Sequence, residues 1–121
     1  MSGVRQALIE HYPQAASFEA WAAKPTAVDS PGMKESTVPL YDGAGETQVG
    51  VWSCTPGRAT SARDGYDEYC YFVAGRATIE TEGAEPIDVV AGDAIVLRDG
   101  WKGAWVIHET LTKTYSTVKH G

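Results

Sequence analysis

The sequence predicts an all-β domain, a sandwich or a barrel, from three observations. Eight short runs rich in β-branched and aromatic residues follow one another at a spacing of about 8–12 residues. They read STVPLYDG, TQVGVWSCT, EYCYFVAG, RATIETEG, EPIDVVAG, DAIVLRDG, GAWVIHE and TLTKTYSTV. Most of the 13 glycines and six prolines fall between these runs, where turns need them. The chain of 121 residues shows no repeat period and no low-complexity linker, which suits one domain with its own core.

The first 25 residues have a different texture. SGVRQALIEHYPQAASFEAWAAKP is rich in alanine, with apolar Val4, Ala7, Leu8, Phe18, Trp21 and Ala22. That spacing predicts one or two short helices broken at Pro13, the second capped by Ser17. Residues 1–25 therefore read as a partly helical arm, packed on the main body or across a dimer partner by Phe18 and Trp21. Residues 26–121 form the β domain. Within it VAGRA and TEGAEP are expected hairpin turns, and VAGDAIVLRDGW a strand framed by glycine turns.

Sixteen acidic against ten basic residues give a net charge of −6. A sequence-independent hold on nucleic acid needs a basic surface, so nucleic acid is not an expected partner. A small anionic ligand remains compatible, because a local pocket can oppose the net charge. No apolar run approaches the roughly 18 residues of a membrane helix. MSGVRQALIEHYPQ lacks the layout of a signal peptide, which points to a cytoplasmic protein. Cys54 and Cys70 lie on separate expected strands and outside any CxxC, so the zinc signal is absent. Both read as buried free thiols.

Five segments carry a resemblance: GVW at 50–52, PG at 56–57, DEYCYFVAGRATI at 67–79, AGDAIVLRDGWKGAW at 91–105 and KTY at 113–115. In order and spacing they resemble the cupin superfamily. More narrowly they resemble the small single-domain cupins related to the ureidoglycine aminohydrolase cupin domain and the ethanolamine-utilisation cupin. The resemblance covers roughly residues 26–118. It implies a double-stranded β-helix, the jelly-roll barrel, with a pocket opening at one end and frequent homodimerisation.

Metal-binding cupins share two motifs, and the chain departs from both. In the first, a glutamate stands six residues before a glycine and follows a His-x-His pair. Glu68 and Gly75 fit, but the histidine places hold Ala62 and Asp64, or Ser61 and Arg63, or, counted forward from Gly57, Arg63 and Gly65. In the second, Gly92 and Gly100 fit. Arg98 stands at the proline place, Gly103 at the ligand histidine and Ile107 at the asparagine. A catalytic first-row metal usually needs about three protein ligands, and only Glu68 survives. The histidines present, His11, His108 and His120, lie elsewhere. No cofactor is expected, although Asp64 and Asp67 leave room for a divalent ion held by oxygen ligands.

The resemblance implies that Glu68 faces the barrel interior. Alternation then carries Tyr66, Cys70 and Phe72 inward with it. Gly103 at a former ligand place carries Trp101 and Trp105 and leaves room for ligand. Lys113 and Tyr115 share one face of the last strand, and Arg63 lies at the mouth. The candidate site is thus Glu68 as acid or base, with Tyr66, Cys70, Trp101, Trp105, Lys113, Tyr115 and Arg63 as ligand contacts. Aromatic walls would desolvate Glu68 and raise its pKa. The alternative for Glu68 is structural, accepting hydrogen bonds that fix strand register. The tryptophans equally suit a core. Trp52 is undecided, because VGVW is apolar on both faces.

Three functions follow. The first is a cupin without the histidine-based metal site that binds or acts on a small polar metabolite. The second is a metal-dependent aminohydrolase-like enzyme. The third is a non-catalytic dimeric barrel that senses a metabolite or binds a partner.

Overall fold

The computed structural model describes residues 6–8 and 18–120. Its described strands are β1 (Ala22–Ala23), β2 (Ala27–Val28), β3 (Lys34–Asp42), β4 (Thr47–Cys54), β5 (Gly57–Ala62), β6 (Tyr66–Thr81), β7 (Ile87–Val90), β8 (Ala94–Leu97) and β9 (Lys102–Lys119). Every pairing is antiparallel.

The long strand β9 is the spine. Its first half pairs with β5 and its second half with β4, while β6 runs along its other side. On its far edge β6 takes β8 against Glu68–Tyr71 and β7 against Arg76–Ile79. Long strands that change neighbours along their length curl the sheet into a barrel. Register shifts between Phe72 and Ala77 help β6 bend. Gly75 sits there with a φ of 85°, and any β-carbon would strike the carbonyl oxygen of Thr110. Glycine is the residue that meets both demands.

The barrel closes over Cys54, Cys70, Phe72, Ala77, Ile79, Leu97, Trp105, Ile107 and Leu111. Phe72 and Leu111 are fully buried, each worth about 2 kcal/mol in area removed from water. The opposite face of β4 is buried too. Val51 is inaccessible, and Ser53 Oγ bonds Thr112 Oγ1 at 3.0 Å. VGVW is apolar on both faces for this reason. Cys54 and Cys70 are free and buried.

The helical arm needs correction where it is described. No helix occurs among the described residues. Ala22 and Ala23 instead pair with Glu35 and Lys34 as β1, so the sheet begins ahead of residue 26. Pairing along the β3 edge overrides the helix preference of alanine. Phe18 is buried, its ring 5.8 Å from that of Trp21, whose indole N–H donates to the Phe18 carbonyl at 3.1 Å. Residues 6–8, within the first expected helix, are not helical, while the rest of that helix, the break at Pro13 and the cap at Ser17 lie outside the described residues. Among the described residues no helix is long and apolar enough to cross a membrane.

Candidate functional site

The site begins with the pleat of β6. Glu68, Cys70 and Phe72 point inward and are buried, while Tyr69 and Tyr71 are exposed. Glu68 lies between Leu97 of β8 and Thr117 of β9. Lys113 of β9 lies between Trp52 of β4 and Phe72 of β6. Arg63 follows β5 and prolongs its ladder. Its N–H donates to the Trp101 carbonyl at 2.8 Å, and its carbonyl accepts from Gly100 N at 2.7 Å. The two RDG turns, at residues 63–65 and 98–100, also hold each other. Gly65 N donates to Asp99 Oδ1 at 2.7 Å, and Asp99 N donates to Asp67 Oδ1 at 2.6 Å. Arg63 is therefore positioned by backbone on both sides.

These three side chains meet. Arg63 Nε donates to Glu68 Oε1 at 2.7 Å, and its Nη2 stands 2.6 Å from the same oxygen. Lys113 Nζ donates to Glu68 Oε2 at 2.7 Å. Cys70 Sγ adds a weak donor to Oε2 at 3.4 Å. Arg63 is 8% exposed, and Glu68 and Lys113 are 5% exposed. One buried carboxylate thus serves two buried cations.

The aromatic residues complete the arrangement. Lys113 Nζ lies 4.5 Å from the Trp105 ring centroid and 4.8 Å from that of Trp52. Such contacts favour a cation that has left water. Trp52 and Trp105 meet edge-to-face at 5.9 Å. Trp52 also donates its indole N–H to Glu35 Oε1 at 2.8 Å, and Lys24 Nζ reaches that oxygen at 2.9 Å. Arg63 is flanked by the rings of Trp101 and Tyr66, at 5.5 and 5.9 Å.

The expected rise in the Glu68 pKa is overturned. Burial pushes the carboxyl up, but the charges of Lys113 and Arg63, with the Lys113 and Cys70 hydrogen bonds, outweigh it. The net direction is downward, so Glu68 is held as a carboxylate. Burial, reinforced by Glu68, pushes the Cys70 thiol up to about 12, which removes it as a nucleophile at neutral pH.

A cavity of about 170 Å³ opens onto this cluster. Trp52, Trp105, Met33, Ala59 and Ile107 give its apolar wall, and Thr60, Ser61, Tyr66, Lys24, Arg63, Glu68 and Lys113 its polar one. A second, shallower opening reaches Glu68, Lys113 and Trp52 past Thr37, Tyr115 and Thr117. Of the eight candidate residues, Arg63, Tyr66, Glu68, Trp105 and Lys113 line the first cavity, and Tyr115 the second. Cys70 and Trp101 line neither. Cys70 is inaccessible behind Glu68, and Trp101 packs on the core with its N–H on Thr81 Oγ1 at 2.9 Å.

Gly103 also differs from expectation. A β-carbon there would strike the Glu80 carbonyl oxygen, so the glycine serves the close approach of β9 to β6 and does not make room for ligand. Sequence reasoning missed Lys24, Met33 and Glu35, and left Trp52 undecided. Lys24 and Glu35 meet only through the pairing of β1 with β3, and nothing local signals that pairing.

The residues do not fit the histidine-based metal centre of metal-binding cupins. No group of three or more His, Cys, Asp or Glu among the described residues could hold an ion. Both oxygens of Glu68 already serve cations. His108 bonds Thr78 Oγ1 and His120 bonds Asp67, both at exposed positions, and His11 lies outside the described residues. Asp67 is committed to Asp99 N and His120.

The family model described as the EutQ-like cupin domain matches residues 42–115. Among solved structures, the EutQ protein of Clostridium difficile is similar, at 18% identity and a TM-score of 0.65, over 78% of this chain and 76% of that one. A protein of unknown function from Pseudomonas syringae pv. tomato gives 22% identity and a TM-score of 0.69, over 84% of this chain but only 43% of that one. Ectoine synthase from P. lautus gives 13% identity and a TM-score of 0.63, over 79% and 70%. At these identities the likeness concerns the fold. No curated protein matches the sequence.

Proposed function

The chain belongs to the EutQ-like cupin domain family, and from that premise we propose that it binds a small polar metabolite in its barrel cavity without a histidine-based metal site. The observation that carries this reading is Glu68 clamped between Arg63 and Lys113 at the floor of a cavity walled by Trp52 and Trp105. Tryptophan supplies flat apolar surface, and the ion cluster supplies convergent polar groups, the usual make-up of a small-molecule site.

Binding without turnover is the favoured form. A carboxylate locked in two ion pairs with a lowered pKa is a poor proton donor or acceptor near neutrality. The pinned carboxylate favours a metabolite sensor over an aminohydrolase-like enzyme. The cavity, at about 170 Å³, is smaller than the roughly 300 Å³ at which drug-sized sites begin, so it suits a small ligand. A second copy of the chain would fit the row formed by exposed Val96, Tyr69 and Tyr41 and half-buried Ser116 and Val49 across four pairings. Sedimentation at micromolar concentration tests that dimer, and a monomer would remove it.

The test of the binding reading is a ligand-observed NMR screen with small carboxylates, amides, amines and polyols. Hits on the wild type that weaken at least tenfold in Trp105→Ala and Lys113→Met support it. Hits that ignore both substitutions, or no hit at all, would end it.

A further inference from the structure

The charges around the cavity do not balance. Lys24, Arg63 and Lys113 line it with Glu68, and Glu35 stands behind Lys24. Three cations therefore face two carboxylates, on a chain whose net charge is −6. The Lys24–Glu35 pair is partly exposed, with side chains 21% and 24% accessible, and Glu35 also accepts the Trp52 N–H and feels the Lys113 charge. The surplus sits in the buried cluster, where Arg63 and Lys113 share Glu68. A buried charge without a counter-charge is strongly unfavourable, so the local chemistry calls for one more negative group.

The hydrogen bonds say which cation would receive it. Arg63 spends Nε and Nη2 on Glu68, and its Nη1 donates to Ser61 Oγ at 2.6 Å and the Ala62 carbonyl at 2.9 Å. Its donors are largely committed. Lys113 has three ammonium donors. Among the described residues it gives one hydrogen bond, to Glu68, and its other contacts are the faces of Trp52 and Trp105.

We infer that the cavity takes a small organic monoanion, a carboxylate with a compact apolar or flat body. Its charged end sits on Lys113 Nζ and its body lies against Trp52, Trp105, Met33 and Ile107. The inference rests on the binding reading above and narrows it to one ligand class. The same set of groups disfavours cations, which would meet Lys113 and Arg63, and gives neutral amides no charge to neutralise.

The test titrates propanoate and benzoate against propanamide and benzamide at low, fixed chloride, reading tryptophan fluorescence and the heat of binding. Each carboxylate is expected to bind wild type at least tenfold more tightly than its amide. Lys113→Met should bring that ratio close to one, and Lys113→Arg should largely keep it. Equal affinity for acid and amide in wild type, or a preference that survives Lys113→Met, overturns the inference. The wild-type ratio needs no variant, so a misfolded Lys113→Met cannot rescue it. Amides that bind where carboxylates do not would sink the monoanion while leaving a ligand-binding cavity. Failure of all four probes, with no hit in the wider screen, would remove both readings.

Discussion

Glu68→Gln separates the two ways of losing an ion from the buried cluster. The amide keeps the shape of the carboxylate but removes its charge and turns one oxygen into a donor. That donor must then face Arg63 or Lys113, both of which donate to Glu68 over 2.7 Å in the native protein. Two cations, 8% and 5% exposed, lose the one counter-charge that both touch. Removing one partner of a buried pair typically costs about 3–5 kcal/mol, a large share of the roughly 5–15 kcal/mol that holds a domain together. For a chain of this length about 4 °C of melting temperature accompanies each kcal/mol, so a fall of about 12–20 °C is expected. Lys113→Met acts in the opposite sense. It removes the surplus cation, keeps the Arg63–Glu68 pair and conserves volume between Trp52 and Trp105. Its cost should be less than half that of Glu68→Gln. Thermal and urea melts of both variants, without added ligand, decide the matter. If Lys113→Met is as damaging as Glu68→Gln, Lys113 is needed to balance Glu68 and there is no surplus charge.

Other outcomes follow from the same geometry. The Glu68 pKa is lowered on folding, so its contribution to stability is fully present above the carboxylate's ordinary unfolded value. It is lost as pH falls through the lower folded value. The acid limb of a stability–pH curve should therefore flatten in Glu68→Gln, and an unchanged limb would show that other carboxylates carry it. Burial pushes the Cys54 and Cys70 thiols up to about 12. Iodoacetamide at pH 8 should leave both unmodified until the protein is denatured, and mass spectrometry reads the result. Gly103→Ala should destabilise by about 1–3 kcal/mol, because its methyl group strikes the Glu80 carbonyl oxygen of the neighbouring strand. A neutral effect would mean that β6 and β9 separate easily there.

Much of the barrel could be read from the chain because its signals are local. Alternation in EYCYF sets Glu68, Cys70 and Phe72 on one face, and the glycine turns mark the strand ends. The arm was harder, because the alanines of β1 gain their conformation from pairing with β3 rather than from their own preference. In the site, alternation put Tyr66 on the face of Glu68, and the resemblance turned that face and Trp105 toward the interior. The direction of the Glu68 pKa was not, since it depends on Arg63 and Lys113 reaching both oxygens, contacts five and 45 residues away along the chain. Gly103 misled for a similar reason. Its place in a motif suggested vacated space, whereas the close crossing of β9 on β6 fills it.

The most direct measurement is elemental analysis with native mass spectrometry on untagged, gently purified protein. Expected is no stoichiometric transition metal, and a retained small molecule that Lys113→Met releases. A stoichiometric manganese, zinc, iron or nickel ion, kept by wild type and lost in Glu68→Gln, would contradict a cavity built on ion pairs.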